Sequence, residues 1–160
     1  MEYQINVNYR FQAVNEREAK EKAKNYLSAN LKVKAMPGLA CSPLEIAERC
    51  WDFREKDKEC FAVFFLNTQN QIISREIISI GTLNASLIHP RECFRTAISK
   101  NCASVIFVHN HPSGSLEPSV DDLTVTKRLT GAGKMIGIEV LDHVIVTAES
   151  HKSFKEQNLI

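Results

Sequence analysis

The chain opens on alternation. Tyr3, Ile5, Val7, Tyr9 and Phe11 are separated by polar residues, the period of a strand with one buried face. Asn15 then has the character of an N-cap, with Glu16 and Glu18 in the first turn, where the helix dipole favours acids. Ala19, Ala23, Tyr26 and Leu27 share one side of the helix this predicts to about Ala29. Lys20, Glu21, Lys22 and Lys24 form its solvated side. Residues 30–43 read as a linker, with a turn at Met36-Pro37-Gly38. Ser42-Pro43-Leu44-Glu45 has the form of a capping box with proline in the first turn, so a second helix begins there. Leu44, Ile46, Ala47, Cys50 and Trp51 are its expected apolar side.

From Cys60 to Leu66 the chain is almost wholly apolar, as a buried strand requires. Asn67-Thr68-Gln69-Asn70 supplies a turn, and Gln71 to Ile80 returns as the other arm of a hairpin. After a loop at Gly81-Thr82-Leu83-Asn84, His89-Pro90-Arg91-Glu92 opens a helix to about Lys100. A strand from Ala103 to Val108 follows. Ser119 caps a helix through Leu129, which Thr130-Gly131-Ala132-Gly133 is expected to end. Met135 to Val140 and His143 to Thr147 are two more strands around Leu141-Asp142. His151 to Ile160 is a short helix or ordered extension, with His151 exposed. Helices and strands in this order give an α/β fold with a mixed sheet flanked by helices. Residues 1–42 make an accessory strand–helix and linker, and residues 43–160 the main domain.

Composition narrows the function. At 160 residues and 44% hydrophobic, the chain is large enough for a real core. Twenty basic against 19 acidic residues leave a net charge of +1, which gives no reason to expect DNA binding. The balance is local as well: residues 1–57 hold 10 basic and 9 acidic groups, and residues 58–160 hold 10 of each. No apolar run approaches a membrane span, and Met1-Glu2-Tyr3-Gln4 does not begin a signal peptide. The five cysteines, Cys41, Cys50, Cys60, Cys93 and Cys102, form no C-x-x-C pair. Reduced thiols in a cytoplasmic protein are the expectation, without a cysteine zinc site or an active thiolate.

The candidate chemistry lies where the strand ending at Val108 runs into His109-Asn110-His111. In an extended segment residues i and i+2 point the same way, so the two imidazoles can converge on one ion. Pro112, Gly114 and Pro118 bend the chain and can return an acid from the next helix. Two imidazoles and a carboxylate leave a fourth tetrahedral position for water, the open arrangement of catalytic zinc. Asp121 and Asp122 compete for the third place; they differ by about 100° around a helix, so only one faces the histidines. Glu59, an acid immediately before a buried strand, is the candidate general base. Ser119 can cap its helix and still donate a hydrogen bond to a developing oxyanion.

The run His109-x-His111-x7-Ser119-x2-Asp122 resembles the JAMM motif of JAB/MPN-type metalloproteases. A longer set is similar to the RadC family: Gly81-Thr82-Leu83, His89-Pro90-Arg91-Glu92, His109-Asn110-His111-Pro112-Ser113-Gly114, Glu117-Pro118-Ser119, Asp122, Thr126-Lys127-Arg128-Leu129 and Leu141-Asp142-His143. The resemblance covers about residues 43–160. It implies a JAB/MPN-like fold related to cytidine deaminases and one zinc per chain held by His109, His111 and Asp122. It also implies Glu59 as the activating glutamate and Ser119 as support for the tetrahedral intermediate. The expected activity is hydrolysis of peptide or isopeptide bonds in a peptide or protein substrate. The alternative is a non-catalytic zinc-containing module, associated with DNA repair or a mobile element, that binds DNA or protein. Longer RadC proteins carry a helix-hairpin-helix region; residues 2–29 contain no Gly-x-Gly hairpin for phosphate contact. The deaminase signature, H-x-E with P-C-x-x-C, is missing too.

Several other residues are assigned packing or surface roles. His89 is expected to cap and pack at its helix start. Arg91 suits either an anionic substrate group or an ion pair with Glu92 or Glu156. His143 is expected to make a structural hydrogen bond, and Trp51 and Phe53 to pack the second helix.

Overall fold

The computed structural model describes residues 2–5, 9–12, 15, 17–22, 42–81 and 88–160. The chain divides into two compact units, Met1–Lys34 and Ala35–Ile160.

In the first unit, strands β1 (Glu2–Ile5) and β2 (Tyr9–Gln12) pair antiparallel, with Tyr3 opposite Phe11 and Ile5 opposite Tyr9. The single strand read from the alternation is therefore two. Every odd position pairs with an odd one, so a hairpin preserves the period-2 pattern that one long strand would also produce. Helical residues 17–22 (α1) follow. The Asn15 side chain accepts from the Glu18 amide at 2.9 Å, the cap expected of it. Ala19 is buried, and Lys22 pairs with Glu18 one turn back at 2.7 Å. The expected continuation to Ala29, the linker and Cys41 lie outside the described residues.

The second unit begins with α2 (Pro43–Glu48), where Ser42 Oγ accepts from the Glu45 amide at 3.2 Å. Ile46, Ala47, Cys50 and Phe53 are buried, but Leu44 is 53% exposed. Two residues before Ile46, it sits about 200° away around the helix. Strands β3 (Glu59–Leu66) and β4 (Ile72–Gly81) form the expected hairpin. Helix α3 (Pro90–Ser99), strand β5 (Ser104–Asn110), helix α4 (Val120–Ile136), strand β6 (Glu139–Val146) and short strand β7 (His151–Ser153) complete it. The five-stranded sheet has the order β4-β3-β5-β6-β7, and only β5 and β6 run parallel. Helix α4 crosses between that parallel pair. The fold is α/β, a mixed central sheet flanked by helices.

Period 2 divides the core. Odd positions Phe61, Val63 and Phe65 of β3 and Val105 and Phe107 of β5 pack against Phe94 and Ala97 of α3 and Val125 and Leu129 of α4. Even positions Cys60, Ala62, Phe64 and Leu66, with Ile106 and Val108, pack against Ile46, Ala47, Cys50 and Phe53. Arg75 of β4 ties this second layer together. It makes two 2.7 Å bonds to the Asp52 carboxylate, one of 2.7 Å to the Arg49 carbonyl, and lies over the Phe53 ring.

Three boundaries differ from the sequence reading. Strand β5 runs through Asn110, so His109 belongs to the sheet. Helix α4 passes through Gly131 and Gly133 and ends only at Gly137, whose φ of 73° closes it. Glycine weakens a helix without stopping it, and Gly133 is needed for packing. A β-carbon there would lie 2.5 Å from the Ile138 carbonyl oxygen and 3.3 Å from Phe94 Cζ. Lastly, the two expected strands around Leu141-Asp142 are one. Val140 pairs with Val105 and Asp142 with Ile106, so Leu141 is the extra residue of a bulge. The Asp142 carboxylate accepts from the His143 and Lys155 amides and the Ser153 hydroxyl, anchoring the tail.

The two glycines of α4 give opposite expectations. Gly133→Ala should lower stability by roughly 1–3 kcal/mol through overpacking. Gly131→Ala, with nothing within 4 Å of the added carbon, should raise it by roughly 0.5–1 kcal/mol. Urea midpoints of the two variants check this; equal shifts would contradict it.

Candidate metal centre

Glu59, His109 and His143 stand at odd positions of β3, β5 and β6, and His111 lies two residues beyond His109. Phe61 is opposite His109 in the antiparallel β3–β5 register. Glu59, two residues before Phe61, begins β3 at the same end of that strand pair as His111. The face against which α4 packs therefore receives all of them at one end of the sheet.

His109 and Asp122 are almost fully buried and His111 is 9% exposed. The His109 and His111 Nε2 atoms are 2.9 Å apart. Asp122 Oδ1 is 3.3 Å from the first and Oδ2 is 3.4 Å from the second. Asp121, by contrast, is exposed. The helix rotation that separates the two acids thus selects Asp122 for the cluster. Among the described residues, His109, His111 and Asp122 are the group that could hold a metal ion.

Local chemistry aims each member. Ser119 caps α4: its Oγ accepts from the Asp122 amide at 3.1 Å, and Asp122 Oδ2 accepts from the Ser119 amide at 2.7 Å. The carboxylate that completes the capping box is the one facing the histidines. Gly114, at φ 77°, turns the chain after His111. The Ser115 carbonyl then meets His111 Nδ1 at 2.8 Å. A carbonyl only accepts, so this nitrogen carries a proton, and in the neutral ring Nε2 keeps its lone pair. His109 Nδ1 meets His143 Nε2 at 2.8 Å. Both outer nitrogens are thus occupied, and both inner ones face the carboxylate.

Asn110, between the histidines, has a separate task. Its Oδ1 accepts from the Cys60 amide at 2.7 Å, and its Nδ2 donates to the Lys56 and Lys58 carbonyls at 3.2 Å each. It clamps the backbone on both sides of Glu59.

The electrostatics follow from crowding. Burial alone would raise the Asp122 pKa, but the His109 and His111 imidazoles beside it favour the charged carboxylate and hold the group well below the usual carboxylate range. Burial pushes His109 below the ordinary imidazole value, against the pull of Asp122. His111, nearer solvent, is raised, chiefly by the Asp122 carboxylate beside it, which favours the charged ring. The charge of Glu59 raises both histidines, which places it within electrostatic reach.

A cation fits this donor set. Four ligands at zinc-type bond lengths of about 2.0–2.1 Å stand about 3.3–3.4 Å apart. The two Nε2 atoms, 2.9 Å apart, and the Asp122 oxygens, Oδ1 3.3 Å from the first and Oδ2 3.4 Å from the second, are near that spacing, each oxygen facing one imidazole. With the rings neutral, the two nitrogens and the carboxylate are all acceptors, so a positive charge among them would remove a mutual repulsion.

The remaining residues sort plainly. His89 occupies the N-cap position of α3 without a side-chain capping bond. Arg91 pairs with Glu92 at 3.3 Å on the exposed surface. His151 is half-buried in β7 instead of exposed. Phe53 packs as expected. Cys50, Cys60, Cys93 and Cys102 are free and buried, and burial pushes the Cys93 thiol up to about 12. The sequence reading missed Asn110 and the tie from Thr126 to His143; the position of Thr126, four residues after Asp122, was the available signal.

Similarity to known proteins bears on the same region. The model of the RadC-like JAB domain matches residues 41–159. A UPF0758 protein of Desulforamulus reducens is 53% identical over 109 residues, covering 68% of this chain and 48% of its own length. Another, from Methanosarcina acetivorans, is 45% identical over 121 residues, covering 75% and 53%. A third, from Geobacillus sp. strain WCH70, is 50% identical over 109 residues, covering 68% and 48%. The chain spans about half the length of these curated relatives.

The Asn110 clamp yields a test. Asn110→Ala removes the side-chain bonds to one amide and two carbonyls and should cost roughly 1–3 kcal/mol in urea unfolding. A midpoint equal to the parent's would show the clamp to be unimportant.

Proposed function

The chain belongs to the RadC family, that of the RadC-like JAB domain, and from that premise we propose that it is a zinc-dependent hydrolase cleaving amide bonds of a peptide or protein substrate. The observation that carries the reading is the convergence of two imidazoles and a carboxylate, with Glu59 starting the strand that pairs with the one bearing His109. His109, His111 and Asp122 would hold one zinc ion per chain. Zinc bound there supplies Lewis-acid polarisation of a carbonyl and a water nucleophile near neutral pH.

The chain's own residues account for the rest. Glu59, half-buried at the start of β3, takes the proton from the attacking water and returns it to the leaving amine. Ser119 Oγ accepts the Asp122 amide and keeps its own proton. It donates that proton's hydrogen bond to the substrate oxygen as charge develops. Asn110 holds Glu59 in place through the backbone of Lys58 and Cys60. The chemistry is assigned to residues 43–160, with 1–42 accessory. No helix among the described residues is long and apolar enough to cross a membrane. The buried free cysteines support a reducing compartment, the cytoplasm.

Metal analysis of the purified protein should find about one zinc per chain, the stoichiometry of a single four-coordinate site, and none after joint His109→Ala and His111→Ala substitution. A peptide-library cleavage assay should then find Glu59→Gln slower by about 10²–10⁴-fold, the span of general acid–base catalysis. Equal cleavage by both would remove Glu59 as the base. Zinc retained by the double variant would remove the site.

A further inference from the structure

His143 lies fully buried on β6 among the Phe61, Phe107 and Phe154 rings, at centroid distances of 5.6, 6.1 and 4.6 Å. Packing alone would need only a ring. Yet both of its nitrogens have partners: Nε2 meets His109 Nδ1 at 2.8 Å, and Nδ1 meets Thr126 Oγ1 at 2.6 Å. Thr126 Oγ1 also lies 2.6 Å from the Asp122 carbonyl oxygen, one turn back in α4.

These contacts have one consistent direction. The Asp122 carbonyl can only accept, so the Thr126 hydroxyl gives its single proton there. The hydroxyl must then accept from His143, so His143 Nδ1 carries the hydrogen. A neutral imidazole has one N–H, so His143 Nε2 is the acceptor. His109 therefore donates through Nδ1, and its Nε2 is left without a proton, facing His111 and Asp122.

We propose that Thr126 and His143 are positioning residues: together they fix the Nδ1–H tautomer and ring direction of His109, and so keep a proton out of the acceptor cluster. The inference rests on the metal reading of the site, but the tautomer it names belongs to the protein with or without a cation. A carboxylate or carbonyl behind a metal-binding histidine accepts by nature. An imidazole in that place accepts through a given nitrogen only if something else orients it. Thr126 is that something, and it stands on the same face of α4 as Asp122. One helix turn thus presents the carboxylate and sets the proton of the opposing histidine.

Thr126→Val keeps the shape and removes the acceptor; Thr126→Ser keeps the acceptor. Long-range proton–nitrogen NMR of the metal-free protein at alkaline pH reads which ring nitrogen is protonated. The parent and Thr126→Ser should have Nδ1–H on both His109 and His143. Thr126→Val should move part of the population to Nε2–H on both. Zinc affinity, from competition with a chelating dye, should fall about 10–100-fold in Thr126→Val, the usual effect of losing a group behind a ligand. Thr126→Ser should restore it. His143→Phe, which keeps the packing, should lose zinc affinity similarly and stands in if Thr126→Val does not fold.

Nε2–H on His109 in the parent would overturn the proposal whatever the zinc result. So would tautomers and affinity unchanged in Thr126→Val. If the parent has the expected tautomers but binds no zinc, the metal reading fails and the proton assignment stands.

Discussion

Three electron-rich atoms are forced together in a nearly dry place, and the surrounding structure is arranged to keep them there. With both rings neutral, two imidazole nitrogens 2.9 Å apart and a carboxylate against both have no proton donor between them. Left to themselves they would turn away. Each is prevented by a bond on its far side: His111 by the Ser115 carbonyl, His109 by His143, and Asp122 by the Ser119 amide. The repulsion is a cost of folding that a cation bound there would offset, which would couple metal binding to stability through these three residues.

The same local interactions serve the fold and the site. A capping box is ordinary helix-end chemistry, worth about 1 kcal/mol. Here its acidic member is turned toward two histidines, so starting α4 and presenting a candidate ligand are one event. The bulge at Leu141 lies in the same strand as His143, between two residues that pair with β5. Because β5 and β6 are neighbours, His109 and His143 are held within hydrogen-bond reach by the sheet itself.

Much of this was legible in the chain. The HxH spacing at the end of an apolar run announced convergence because strand geometry makes i and i+2 neighbours on one face. The caps at Asn15, Ser42 and Ser119 were legible because capping is local. What stayed hidden depended on partners distant in sequence. Helical rotation told Asp121 from Asp122 only in that they diverge; which one faces inward is decided by where α4 docks on the sheet. Gly131 and Gly133 resembled a helix end because the close approach of Ile138 and Phe94 that requires a glycine is tertiary. Leu141-Asp142 resembled a turn because a bulge interrupts the pattern without ending the strand. Residues 2–11 read as one strand because a hairpin of matching parity has the same alternation. His143 was read as a structural hydrogen bonder, but its partner is a candidate ligand, and that pairing exists only once β5 and β6 lie side by side.

The central claim is that His109, His111 and Asp122 close around a single zinc ion. Zinc-edge X-ray absorption of the loaded protein tests it most directly. The account predicts about four light-atom ligands at about 2.0–2.1 Å, with the outer-shell scattering of two imidazoles. Sulfur at about 2.3 Å, or a first shell without imidazole, would contradict it.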